Sequence, residues 1–206
     1  MNTYRIRATG ALVNESEFRA SHKSTSFPAV LDAATLDAFD ADPVLSAPAP
    51  TVTAFQTAQQ SGVVQDSLGN WVTAYTVTDW PQAQIDAFKA QAKIDKWEAI
   101  KDERDRRESG GVLVGTKWFH SDEGSRIKQL GLFMAGTNLP SGLQWKCMDG
   151  SFVTMTPTLA GQIFGASLAS TQAIFTKAEQ HKAAMEASAN PAVYDCMQGW
   201  PTVFGE

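Results

Sequence analysis

The chain has 206 residues, enough for one large or two small domains. Hydrophobic residues make up 43% and charged residues 19%, with a formal net charge of -5. That balance is ordinary for a globular protein and excludes a general nucleic-acid binder, which gathers Lys and Arg on one face to displace counterions from phosphates. No apolar run approaches the roughly 18 residues of a membrane span. The first residues, MNTYRIRATG, lack the apolar core of a signal peptide, so synthesis in a cytoplasm without membrane insertion is the expectation.

The first 80 residues are rich in Thr, Val, Ala, Ser and Pro. Tyr4, Ile6 and Ala8 alternate with Arg5 and Arg7, the period of a strand. Asn14 is a capping residue followed by acids, which predicts a short helix through Phe18, and a second short helix is predicted near Ala33 to Phe39. His22 falls in a polar stretch, RASHKSTS, read as a loop. Residues 46–55, SAPAPTVTAF, read as extended, because each proline biases its predecessor away from helix. Val63 and Val64, a Leu68-Gly69-Asn70 turn, and alternating Trp71, Thr73, Tyr75 and Val77 predict a hairpin. Residues 1–80 thus read as a small, mostly β docking domain.

Residues 82–108 read as a connector helix, with no Gly or Pro after Pro81 and many strong helix formers. Ile85, Phe88, Ile94, Trp97 and Ile100 mark its apolar face. Lys101 to Glu108 form a charged run, read as a solvated face laced by pairs such as Asp102–Arg106.

Residues 109–206 read as an α+β module. Gly110-Gly111 ends the connector, and Val112 to His120 form a tight hairpin about Gly115-Thr116. Ser121 is the expected N-cap of a helix that carries Ile127, Leu130 and Met134 at 3,4 spacing and stops at Gly136. Leu143 to Lys146 and Phe152 to Thr154 form a second hairpin about Asp149-Gly150. Thr156-Pro157 opens a long helix to about residue 188, where threonine caps and proline takes the first helical position. Its wide apolar face is read as Leu159, Ile163 and Ala166 beside Phe164, Leu168 and Phe175. Asn190-Pro191 breaks it, and a short closing helix is expected to lay Tyr194 and Trp200 back on the core.

The polar residues form no recognisable catalytic set. His120-Ser121-Asp122-Glu123 combines a base, a hydroxyl and carboxylates, but its positions match a strand end, a cap and a helix first turn. His181 shares a stripe with Ile174, Ala178 and Met185 and reads as a core histidine. Cys147 and Cys196 read as reduced, partly buried thiols. The Cys and His residues show no paired metal-ligand spacing, so no metal is expected. G-G-V-L-V-G lacks the following Lys-Ser/Thr of a phosphate loop, so no cofactor is expected. Lys117, Arg126 and Lys146 are isolated. The bulky rings serve mainly to build a small core, and Trp97, Trp118, Trp145 and Trp200 are the candidate interface or binding residues.

From Arg104 to Pro201, the runs W-F-H-S-D, G-L-Q-W-K-x-M-D-G-S-F-V-T-M-T-P and A-M-E-A-S-A-N-P-A-x-Y-D resemble a domain family of unknown function found in tailed bacteriophages and prophages. The resemblance carries Gly142, Leu143, Gln144, Trp145, Lys146, Met148, Asp149, Gly150 and Thr156-Pro157, covers the last half of the chain, and brings no catalytic residue with it. It implies a non-enzymatic virion protein, a tail fibre or tail- or baseplate-associated component made in a bacterial host cytoplasm. The implied partners are other tail or baseplate proteins, further copies of the chain as a trimer, and a host surface receptor. The alternatives are a tail-fibre assembly chaperone and a receptor- or glycan-binding module, with an enzyme least expected.

Overall fold

The computed structural model describes residues 2–206. The chain is an α+β protein of two compact units, 1–85 and 86–206.

In the first unit, β1 (Thr3–Ile6), β2 (Leu12–Asn14), β3 (Ala41–Leu45), β4 (Gln56–Gln65) and β5 (Trp71–Asp79) form one sheet of order β2-β1-β3-β5-β4. All pairings are antiparallel except β3 with β5. The β4–β5 hairpin carries a bulge between Gln60 and Gly62. Its turn is built by Asp66, whose carboxylate accepts from the backbone N–H of Leu68 and Asn70 while Gly69 takes a positive φ of 83°. Helix α1 (Glu15–Ser21) opens with a capping box in which Asn14 and Glu17 each accept the other's backbone N–H, a motif that contributes about 1 kcal/mol. Asp32 caps α2 (Ala33–Asp37). Both helices cover a core of Tyr4, Phe18, Leu31, Leu36 and Ala41.

One expectation fails in this unit, and one strand was not foreseen. His22 is not in a free polar loop. Its ring packs 4.8 Å from Phe18 and 5.0 Å from Phe39, with Nδ1 2.9 Å from the Phe18 carbonyl. Strand β3 was hidden by Pro43. It pairs with β5 only at Val44 and Leu45, so Pro43 lies where the strand has one sheet neighbour.

The second unit is built on α3 (Gln82–Glu108, from Asp86 onward), α4 (Glu123–Ala135) and α5 (Pro157–Ala187). Hairpins β6 (Val112–Val114)–β7 (Lys117–Phe119) and β8 (Gln144–Lys146)–β9 (Phe152–Thr154) complete it. Thr156 caps α5 with Pro157 in the first turn. One core joins Ile100 of α3 to Ile174, Ala178 and Met185 of α5 and to Cys196 and Trp200. A second joins Val112, Phe119, Cys147 and Met155 to Ala160 and Ile163.

The charged end of α3 is not a solvated face throughout. Glu103 and Arg107 are buried and hydrogen-bonded to each other at 2.6 Å. Arg106 pairs with Glu103 and Glu206 rather than with Asp102. Ile94, assigned to the apolar face, is exposed. Ser121 does not cap α4. Asp122 does, through the Ser125 N–H, while the Ser121 hydroxyl turns inward to accept from Gly111 and donate to the Glu108 carbonyl. The apolar stripe of α4 faces outward: Ile127 is 64%, Leu130 41% and Met134 77% exposed. The physical reason lies in the other face. Gln129 donates to the His120 carbonyl at 2.7 Å and Arg126 donates to the Glu108 carboxylate and carbonyl, both at 2.9 Å. Those bonds set the roll of the helix. On α5, Leu168 and Phe175 are likewise exposed, and the inward face is Ala160, Ile163, Ser167, Ile174, Ala178, His181 and Met185. No closing helix follows: a 3-10 turn at Pro191–Val193 leads into irregular chain, from which Trp200 packs into the core and Tyr194 against it. No helix among the described residues is long and apolar enough to cross a membrane.

Candidate functional site

The Asp149-Gly150 turn is fixed by hydrogen bonds from three residues' side chains and backbone. Gly150 supplies the positive φ of 81°, and the Asp149 Oδ1 accepts from the Ser151 N–H at 2.9 Å and from its hydroxyl at 2.6 Å. Asp149 Oδ2 accepts from Lys117 Nζ at 2.8 Å, and the Met148 N–H donates to the Trp118 carbonyl. These bonds lock the two hairpins together. The Lys117 ammonium, then the Ser151 donors, hold the Asp149 carboxyl well below the usual range, and Asp149 in turn raises Lys117. The pair therefore stays charged across the neutral range and acts as a clamp, not as an acid or base.

Beside this clamp lies a surface concavity of about 300 Å³, lined by His120, Ser125, Lys128, Gln144, Trp145, Lys146 and Phe152. Register decides what each hairpin residue presents. Trp145 stands opposite Val153, and both pack against the second core, leaving the indole half-buried. Lys146 stands opposite Phe152 on the other face, and both are exposed. Gln144 donates to Thr154 Oγ1 at 2.9 Å. The concavity is thus lined by an indole, an exposed phenyl, an amide, an imidazole, a hydroxyl and two ammonium groups. That set suits stacking on an apolar or sugar ring and attraction of an acidic group.

A second feature is the outward stripe of α4, Ile127, Leu130 and Met134; on α5 Leu168 and Phe175 are also exposed, Phe175 beneath the Arg104 guanidinium at 5.0 Å. Phe133 and Phe164 stack at 4.7 Å and 7° to tie the two helices together.

The four candidate tryptophans lie in different surroundings. Trp145 lines the concavity. Trp118 is half-buried and meets Phe204 edge-on at 6.3 Å. Trp97 packs against the first core with Lys182 Nζ 4.9 Å over its ring. Trp200 is buried, and its Nε1 donates to the Cys196 carbonyl at 2.8 Å. Phe152, Lys128 and Gln144 escaped the sequence reading as site residues. The Asp149-Gly150 turn places Phe152 opposite Lys146 and could have found it; nothing local marks Lys128.

Elsewhere, His181 is a core residue. Gln198 offers only a carbonyl, so Nε2 carries the proton and donates at 3.0 Å, leaving Nδ1 to accept from the Tyr194 hydroxyl at 2.8 Å. Cys147 and Cys196 are buried free thiols. Among the described residues no three His, Cys, Asp or Glu side chains gather as metal ligands.

Residues 91–197 match the model of a family described as a domain of unknown function, DUF4376. No curated protein and no solved structure matches the chain.

Proposed function

The chain belongs to the DUF4376 family, and from that premise we propose that it is a non-enzymatic structural protein of a tailed bacteriophage particle, a tail-fibre or tail- or baseplate-associated component that works by binding other proteins. The G-L-Q-W-K-x-M-D-G-S-F-V-T-M-T-P run, which resembles tailed-phage sequences, supports the setting. The observation that carries the binding role is the exposed row of Ile127, Leu130 and Met134 on α4. Three large apolar side chains on one exposed helical face favour a partner that removes them from water, at about 25 cal/mol per Å² buried. A specific interface needs about 1,200–2,000 Å² in total, and repeated copies in a symmetric particle multiply weak contacts. Neighbouring tail proteins and a homotrimer are the partners proposed.

Mass spectrometry of purified particles tests this reading, and the chain is expected among the tail proteins at a fixed copy number. Its absence from the particle, together with co-purification on an unassembled fibre protein, would turn the assignment to an assembly chaperone. The Trp145–Phe152 concavity favours a second reading, a receptor- or glycan-binding module. In that case Trp145→Ala and Phe152→Ala lower adsorption to host cells while particles still assemble.

A further inference from the structure

The bonds already made around the Trp145–Phe152 concavity decide what it can still take. Lys146 and Phe152 are register partners on the exposed face of the β8–β9 hairpin, and Lys128 lines the same space of about 300 Å³ from α4. Neither Lys128 nor Lys146 has an ion pair among the described residues, and no carboxylate lines the concavity. The carboxylates beside it are committed. Asp122 accepts from the Ser125 N–H and hydroxyl, and Asp149 accepts from Lys117 and Ser151. In a chain of formal net charge -5, two such ammonium groups lining one concavity make a local site for an anion. We infer that this concavity binds a sugar carrying an acidic group, its hydroxyls held by the neutral side chains and its carboxylate or phosphate by Lys128 and Lys146. The inference deepens the glycan-binding reading given above and rests on it.

The class of ligand follows from the donors and acceptors that remain. Gln144 donates its Nε2 to the Gly142 carbonyl at 3.2 Å and to Thr154 Oγ1 at 2.9 Å. A carbonyl only accepts, so the amide orientation is set and Oε1 is left as an acceptor. The Ser125 hydroxyl gives its proton to Asp122 Oδ2 at 2.6 Å and keeps a lone pair. The lining thus holds spare acceptors together with spare cationic donors. A bare carboxylate or phosphate would serve the ammonium groups and leave the acceptors unmet, and a neutral sugar would do the reverse. A hydroxylated acid serves both, because each hydroxyl donates as well as accepts. The apolar C–H face of a pyranose ring packs on the phenyl of Phe152, which is 62% exposed, with the half-buried Trp145 indole lining the same space. The volume lies at the small end of the range for ligand sites and holds roughly one or two sugar rings.

The full chain, labelled with ¹⁵N, is titrated with glucuronate, glucose 6-phosphate, glucose and acetate, following the Trp145 indole N–H and the Lys146 amide resonances. At least one of the two sugar acids is expected to shift both saturably, with glucose and acetate weaker by about tenfold or more, the effect of losing a hydrogen bond to a charged group. Lys128→Gln and Lys146→Gln, both at exposed positions that leave the fold intact, are each expected to weaken that acid by about tenfold. Tighter binding of glucuronate assigns a carboxylate sugar, and tighter binding of glucose 6-phosphate a phosphorylated one; both support the site. No saturable shift with either acid, glucose or acetate binding as tightly as the acids, or affinity unchanged in both Lys variants overturns it. The two readings fail separately. Saturable glucose binding equal to that of the acids overturns the acidic class and leaves a neutral glycan site standing. Normal adsorption of Trp145→Ala and Phe152→Ala particles, with the acids still binding the parent chain, removes the receptor role and supports the sugar site.

Discussion

Arg107 grips both carboxylate oxygens of Glu206, 99 positions further along, through bonds of 2.7 and 2.9 Å. The same guanidinium donates to Glu103 and to the Pro201 carbonyl, each at 2.6 Å. Arg107 is buried, whereas the Glu206 side chain is 39% exposed. The two partners are therefore unequal. Arg107→Met takes one of two guanidinium partners from the buried Glu103 carboxylate, which keeps Arg106, and leaves the Pro201 carbonyl without this donor; it is expected to cost about 2–3 kcal/mol. Glu206→Gln removes two screened pairs, with Arg106 and Arg107, and is expected to cost about 1 kcal/mol or less. Urea denaturation at a constant slope measures both, and equal losses would contradict this assignment.

His181 makes stability depend on pH. Burial first, and then the Lys177 ammonium, push its pKa below that of an ordinary imidazole. The unfolded chain therefore binds the proton more readily between the depressed value and about 6.5. Stability rises with pH through that window, is fully present above about pH 7, and is lost as pH falls toward the folded value. The urea midpoint is expected to drop between pH 7.5 and 5, and the drop shrinks in His181→Gln. A variant with the same slope as the parent would remove His181 as the cause.

Two glycines should respond to alanine with opposite signs. Gly111 has a φ of 95°, and a Cβ there runs into the Met148 sulfur. Gly111→Ala combines a left-handed backbone with overlap and is expected to cost about 1–3 kcal/mol. Gly165 lies within α5, where an added methyl meets nothing within 4 Å. Gly165→Ala is expected to stabilise by about 0.5–1 kcal/mol through the entropy of the unfolded chain. Thermal melting of the two variants decides it.

The outward stripe of α4 is expected to matter for association and little for folding. Leu130→Asp and Met134→Asp should change stability by no more than about 0.5 kcal/mol, as is usual for exposed positions. Ile163→Ala, in the core, should cost about 2–5 kcal/mol. Sedimentation velocity and pull-down on tail proteins are expected to show weakened association for the two surface variants at unchanged melting temperature. Large destabilisation by Leu130→Asp would mean that the stripe supports the fold instead.

Much of the secondary structure was legible because its signals are local. The Asn14 cap, the Leu68-Gly69-Asn70 and Asp149-Gly150 turns, the uninterrupted helix formers of α3 and the Thr156-Pro157 opening each act within four or five residues. Of the candidate concavity, Trp145 was legible from its hairpin. Lys128 was not, because its neighbours at the site come from a different element.

By itself the sequence determined most turns and caps and the two long helices, since capping, φ preference and helix propensity are settled between near neighbours; it missed β3 and placed the α4 cap one residue early. Only the tertiary structure decided which side of each helix is buried. The apolar period of α4 points to Ile127, Leu130 and Met134, yet Arg126 and Gln129 face inward, held by Glu108 and the His120 carbonyl. Glu103 and Arg107 lie inside for the same reason, with partners as far away as Pro201 and Glu206. A polar side chain can be buried when a distant acceptor offsets its desolvation, and a linear pattern of hydrophobicity carries no record of that acceptor.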